Sequence, residues 1–240
     1  MRKRLLQFAD TDITNRMIKI INTLDEIGVD YEVDFHKKEH LTNIVVKLNQ
    51  VNKEDKVVVL GAHYDVVHNS TGLNDNGAAV VMLLEYIKYY IAKGYTTPLE
   101  IVFFDREETG MVGSDVYARS NVDRVKYALI FDIIAYGDRL VYGPAFDAEL
   151  DDLLNRNHHV ERLNQVLPSD NSSFAYYNIP TSLIVAAPDK DLIAQKDGSY
   201  NLVAFPEFYS SFHNRINDNK IDVLNFGLMK KAIQVIDSLF

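Results

Sequence analysis

His63, Asp65, Asp75, Glu107, Glu108, Asp132 and His213 are the residues whose types and spacing could do chemistry. Each stands where a predicted buried strand ends or a predicted helix begins. The apolar run 57–60 leads into Gly61-Ala62-His63-Tyr64-Asp65, and the run 99–104 leads into Asp105-Arg106-Glu107-Glu108. Asp132 falls near the end of the apolar run 127–134, and Phe212-His213-Asn214 precedes the last predicted helix. Gly72-Leu73-Asn74-Asp75-Asn76-Gly77 opens a long helix. In wound α/β sheets, ligands bind beyond the carboxyl ends of the strands, so these segments deliver imidazoles and carboxylates to one edge. That donor set suits divalent metal. The chain has no cysteine, so imidazole nitrogen and carboxylate oxygen are the available zinc ligands. Two cations about 3.5–4 Å apart need a bridging carboxylate. Asp75 would bridge, His63 and Asp132 would complete one site, and Glu108 and His213 the other. Asp65 is placed to accept the second ring N–H of His63 and orient it. Side chains of neighbours diverge, so Glu107 faces the cleft as a general base when Glu108 turns to the metal.

Taken singly, each residue has a plainer reading. Asp75 is a common helix cap, Glu107-Glu108 a solvated pair, and His213 a loop histidine. Asp132 is different, because a lone carboxylate in an apolar run is costly without a partner. The coincidence of all of them at one sheet edge carries the metal reading. The other histidines read as structural or surface residues. His158 and His159 point about 100° apart on a helix and have no suggested carboxylate partner. His36 and His40 flank a charged turn, and His68 is the one placed to reach the cleft.

The elements behind these residues alternate in type. Helices are predicted over 11–28, 77–93, 114–119, 147–161 and 222–239, and strands over 31–35, 43–48, 57–60, 99–104, 127–134, 139–142 and 181–187, with a turn-like charged stretch at 50–55. The pattern implies an α/β fold, a three-layer α/β/α sandwich around a mostly parallel mixed central sheet. The aromatic-rich stretch 188–212 lacks a clear period and is expected to serve function.

With 240 residues and 47% hydrophobic content, one domain over 1–240 is expected, with no room for an inserted lid or dimerisation domain between His63 and Asp75. The net charge of −9 argues against a nucleic-acid partner. Thiolate zinc sites, disulfides and cysteine nucleophiles are excluded with cysteine itself. No apolar run is long enough to span a membrane, and the basic start lacks the apolar core of a signal peptide. The cytoplasm is the expected compartment and a monomer the favoured state.

The motifs His63-Tyr-Asp65, Leu73-Asn-Asp75-Asn-Gly, Asp105-Arg-Glu107-Glu108-Thr-Gly-x-x-Gly-Ser, Phe131-Asp132, Ser169-Asp170-Asn-Ser-Ser-Phe and Phe212-His213-Asn, with Asp218 and Lys220-Ile-Asp222, resemble the M28 family of zinc aminopeptidases. The resemblance runs in order from about residue 40 to 240. It implies a zinc-exopeptidase-like fold and two Zn²⁺, with Co²⁺ or Mn²⁺ as substitutes. The expected substrate is a peptide or aminoacyl compound with a free N-terminus, hydrolysed through a metal-bridging water activated by Glu107. It assigns the same five ligands as the donor chemistry and implies a cis peptide after Asp75.

Two departures stand out. Phe212 occupies the position where the family often has a tyrosine donor, leaving Tyr209, Ser210 or Ser211 to supply it. Asn171 replaces the histidine of a Ser-Asp-His motif. Tyr136, Phe174, Tyr177, Phe205, Phe208, Tyr209 and Phe212 are expected to favour an apolar or aromatic first residue. Competing readings are a glutaminyl cyclase-like acyl transferase, and a carboxypeptidase or amide deacylase on the same scaffold. The latter needs a cationic anchor, for which Arg106, Arg139 and Arg215 are candidates. A metal-free binding module would have lost the base or a ligand, and this chain retains all of them.

Overall fold

A computed structural model describes residues 1–49, 56–145, 147–203 and 206–240. The predicted turn at 50–55 and Phe205 lie outside the described residues. Eight strands form the central sheet: β1 (Tyr31–His36), β2 (Leu41–Leu48), β3 (Val57–His63), β4 (Leu99–Phe104), β5 (Val125–Phe131), β6 (Arg139–Tyr142), β7 (Glu161–Arg162) and β8 (Thr181–Ala187). Their order is β1-β2-β4-β3-β5-β8-β6-β7. The central strands β4, β3, β5 and β8 run parallel, and β1, β2 and β6 are antiparallel to their inner neighbours.

The central strands are buried on both faces, which is why they read as continuous apolar runs. Alternate residues feed two cores. Val58, Leu60 and Ala62 of β3 and Leu129 and Phe131 of β5 pack beneath α1 (Arg2–Phe8), α2 (Ile13–Ile27), α3 (Ala78–Lys93), α5 (Ala148–Asn155) and α7 (Phe226–Asp237). Val57, Val59, Ala128 and Ile130 pack on the opposite face against α4 (Val112–Ser120) and α6 (Asn171–Tyr176). This is the expected three-layer sandwich.

Several elements depart from the sequence reading. The strand predicted over 127–134 ends at Phe131, because the backbone turns at Ile133 with φ of 44°. Asp132 therefore lies just past the strand instead of inside it. The helix predicted over 147–161 stops at Asn155, and Glu161–Arg162 joins the sheet as β7. The last helix starts at Phe226, where the Asn225 side chain accepts the Gly227 N–H at 3.0 Å as a cap. Two short helices, α1 and α6, escaped prediction. The stretch 188–212 contains a ribbon of β9 (Leu192–Ala194) and β10 (Tyr200–Leu202). Among the described residues, no helix is long and apolar enough to cross a membrane.

Candidate active site

The site lies beyond the carboxyl ends of β3, β4 and β5. His63 is the last residue of β3, Glu107 and Glu108 follow β4, and Asp132 follows β5. Asp75 enters from the turn Leu73–Gly77 that opens α3, and the peptide between Asp75 and Asn76 is cis. His213 comes from the long segment before α7.

These side chains converge. One donor atom each from His63, Asp75 and Asp132 lies within 4.8 Å of the other two, and the same holds for Asp75, Glu108 and His213. Asp75 belongs to both groups. A third group of the same spacing joins His63 to Glu107 and Glu108. His63 Nε2 stands 3.3 Å from Asp75 Oδ1 and 3.4 Å from Asp132 Oδ1, yet makes no hydrogen bond. Asp132 Oδ1 and Glu108 Oε1 are likewise buried without hydrogen-bond partners. Buried polar atoms are almost always paired, so three orphans from three segments fit a cation ligand set.

The charges tell the same story. Burial pushes the Glu107 carboxyl up to about 9, and Asp170, Asp132 and Glu108 add to the rise while His63 opposes it. Burial and the neighbouring Asp75 push Glu108 up to about 8. Burial disfavours a charged His63, but Asp132, Asp65 and Asp75 overcome it and raise its pKa well above the ordinary value. Asp75 is held below the carboxylate range by His63 and by the His213 backbone N–H, against the cost of burial. The cluster is crowded with negative charge that only cations or protons can relieve.

Asp65 does more than expected. His63 Nδ1 lies 3.3 Å from both its carboxylate and its backbone carbonyl. Its two carboxylate oxygens also accept the N–H groups of Glu107 at 3.0 Å and Glu108 at 3.1 Å. One aspartate thus holds the β3 and β4 segments in register.

Asp218 and Ser169 stand in the sequence motifs without an assigned role, and Arg16 is not singled out there at all. Asp218 Oδ1 accepts the backbone N–H of Asn74 at 3.2 Å and Asp75 at 3.0 Å, and its Oδ2 accepts from Ser70 Oγ at 2.7 Å and the Asn214 N–H at 3.1 Å. Ser169 Oγ donates to Asp132 Oδ2 at 2.9 Å. Arg16, fully buried on α2, donates to the carbonyls of Tyr64 at 2.6 Å and Thr71 at 2.9 Å, and its guanidinium lies over the Phe8 ring. It clamps the loop between His63 and Asp75. Its signal was an arginine in register with the buried Ile20 and Leu24.

An apolar cavity of about 240 Å³ adjoins Asp75, Glu107, Asp132 and His213. Phe208, Tyr209 and Phe212 line it as expected, together with Ile133, Leu167 and Val185, which sequence reasoning missed. Phe174 does not reach it, packing instead between Phe104 and Tyr117. Tyr177 donates to Asp115 at 2.9 Å and Tyr136 to Glu207 at 2.7 Å, so neither lines the cavity. Of the three candidate donors replacing the missing tyrosine, Ser210 and Ser211 donate to the carbonyls of Glu207 and Phe208, and Tyr209 alone lines the cavity. His158 and His159 are exposed, as expected.

Known proteins resemble this chain in sequence or in fold. The vacuolar membrane protease of Saccharomyces cerevisiae is 38% identical over 76 residues, which is 32% of this chain and 8% of that protein. The Legionella pneumophila LapA aminopeptidase superposes with a TM-score of 0.74 at 17% identity, covering 99% of this chain and 69% of that one. Porphyromonas gingivalis glutaminyl cyclase superposes with a TM-score of 0.70 at 15% identity, covering 98% and 93%. Zinc aminopeptidases and a zinc-dependent exopeptidase are also among the solved structures with this fold. The chain spans well under a third of the curated relatives it matches, between 8% and 25% of their length. The sequence profile of peptidase family M28 matches residues 43–236, a span that takes in every one of the clustered donors; this chain belongs to peptidase family M28.

Proposed function

We propose that the protein is a metal-dependent aminopeptidase that binds two zinc ions, held by His63, Asp75 and Asp132 on one side and Asp75, Glu108 and His213 on the other. The observation that carries this reading is the pair of donor groups sharing Asp75, with the orphaned His63 Nε2, Asp132 Oδ1 and Glu108 Oε1 inside them. No thiol is present, and imidazole plus carboxylate is a zinc donor set, with Co²⁺ or Mn²⁺ as substitutes. Bound zinc supplies Lewis-acid polarisation of the scissile carbonyl and lowers the pKa of water.

The chain's own residues do the rest. Glu107, at the edge of the apolar cavity, accepts a proton from the attacking water and returns it to the leaving amine. Asp65 holds Glu107 in place through its backbone N–H. The cavity walls of Phe208, Tyr209, Phe212 and Ile133 take the first side chain, favouring an apolar or aromatic one.

Glu107→Gln keeps the shape and removes the base. Hydrolysis of free-amine aminoacyl-coumarins by the zinc-loaded protein is expected to fall by about 10²–10⁴-fold while bound zinc is unchanged. Near-normal turnover in the variant overturns the assignment. A second reading is glutaminyl cyclisation, supported by the near-complete length match with a cyclase of this fold. An N-terminal glutaminyl peptide separates the two: loss of ammonia with the peptide bond intact marks the cyclase.

A further inference from the structure

We infer that a second cleft at the site, bordered by Arg106, His40 and His68, is a subsite for the terminal carboxylate of the substrate, and that free dipeptides are the preferred substrate class. The inference rests on the aminopeptidase reading and extends it past the cleaved bond. This cleft shares no lining residue with the apolar cavity, yet it reaches the same cluster through Glu108 and Asp65.

Arg106 is the residue that points to an anion. Its backbone is left-handed, with φ of 60°, a conformation uncommon for a residue with a side chain and found where surroundings enforce it. The enforcement is visible: its carbonyl accepts the Val112 N–H at 3.1 Å, its Nη1 donates to the Glu39 carbonyl at 2.6 Å, and its Nε to Thr109 Oγ1 at 3.1 Å. Both side-chain partners are neutral. Among the described residues, Arg106 pairs with no carboxylate, in a chain whose acids outnumber its bases. Guanidinium has five N–H donors in a fork that fits a carboxylate, and these bonds leave the outer nitrogen unused.

The acidic groups of the cleft are already engaged. Asp65 accepts from the Glu107 and Glu108 N–H groups, Asp105 accepts the Thr42 N–H at 2.9 Å, and Glu108 belongs to the donor cluster. His40 and His68 border the same space and can add N–H donors. The other two candidate anchors do not face this cleft. Arg139 is occupied by Glu161 and Asp189, and Arg215 lies over the Tyr209 ring. In a dipeptide, the free carboxylate lies one residue past the bond that breaks, a span of about 3.5 Å. A longer peptide would carry a neutral amide there and forgo the charge-assisted contact.

The test compares leucyl-phenylalanine with its C-terminal amide on the zinc-loaded protein, with leucyl-coumarin as reference. The free acid is expected to have a KM lower than the amide by about 10- to 100-fold, with similar kcat. Arg106→Gln is expected to abolish the ratio of the two KM values, so that acid and amide become equal, whatever change the variant makes to both alike. Arg106→Lys, which keeps the charge and loses the fork, is expected to fall between. Equal KM for acid and amide in the unaltered protein overturns the inference, whether or not the variants fold. A preference that survives Arg106→Gln overturns the assignment to Arg106. Cleavage of the coumarin with no acid preference leaves the aminopeptidase reading standing alone, whereas silence on all three substrates removes both.

Discussion

The backbone N–H of His213 donates to Asp75 Oδ2 at 3.0 Å, joining two donor residues that stand 138 positions apart in the chain. One carboxylate thus faces His63 through Oδ1 and fixes the His213 loop through Oδ2. The position of the last donor is set by the central one, and whatever holds Asp75 also holds His213.

Asp218 is that support. Asp218→Asn puts an amide NH₂ against N–H donors on one side or the other, leaving at least one of them unpaired at about 1–3 kcal/mol. We expect kcat/KM to fall about 10–100-fold, with weaker zinc binding, because supports of this kind tune ligand geometry. Steady-state kinetics and zinc titration of the variant check this. Unchanged zinc affinity would show that Asp218 does not act through Asp75.

Arg16 supports the same turn from below. Burial pushes its pKa down to about 10, and the charges of Asp65 and Asp75 resist that fall. Arg16→Met keeps the bulk but orphans the carbonyls of Tyr64 and Thr71. A stability loss of about 3 kcal/mol is expected in denaturant unfolding, larger than for Arg16→Lys. A loss below about 1 kcal/mol would contradict a clamping role.

Gly113 shapes the loop that carries Glu107 and Glu108. A Cβ there would sit 2.3 Å from the Asp105 carbonyl oxygen and 2.5 Å from Asn43 Oδ1, and the first of these is backbone that cannot swing away. Gly113→Ala is expected to cost about 1–3 kcal/mol and to lower activity by displacing Glu107. Thermal unfolding and coumarin hydrolysis measure both effects. Full activity in a stable variant would show that the loop tolerates the shift.

Stability should respond to pH and zinc together. Glu107 and Glu108 titrate at about 9 and about 8 in the fold, against 4.5 in the unfolded chain. Between those values the folded, metal-free protein holds more protons than the unfolded chain. Its stability therefore falls as pH rises through that window. The raised His63 value acts in the same direction. Melting temperatures with chelator should drop from about pH 5.5 to about pH 8.5, and added zinc should raise them more at the higher pH. A chelated protein that grows more stable over that range would contradict the crowding of carboxylates.

The identities of the donor residues were legible because of chemistry that is local to each segment. A buried strand needs apolar residues on both faces, so its end is marked by the first polar ones, His63 at the end of β3 and Glu107-Glu108 after β4, while Asp132 was legible as a carboxylate within an apolar run whose true end, at Phe131, was not. The ends of α2 are fixed locally: the Asp12 side chain accepts the Thr14 and Asn15 N–H groups, and Gly28 takes the left-handed conformation that ends the helix. The end of α5 has no such local mark: the helix expected over 147–161 stops at Asn155, and Glu161–Arg162 joins the sheet through pairing with β6, a contact made outside the segment.

Tertiary structure alone decided the rest, because the contacts involved have no local signature. Asp218 meets the Asp75 N–H across 143 positions, and Arg16 meets Tyr64 across 48, so neither partner could be named from its neighbours in sequence. The aromatic residues of the irregular stretch show the same limit. Phe212 lines the cavity while Phe174 fills the core, although both are phenylalanines next to polar motifs. Apolar side chains gain from burial against any apolar partner, so composition selects which residues leave water but not which surface they cover. The donor types were determined by the sequence; which atoms approach within ligand distance, and the cleft in which Arg106 waits without a carboxylate, were determined by the packing of the sheet edge.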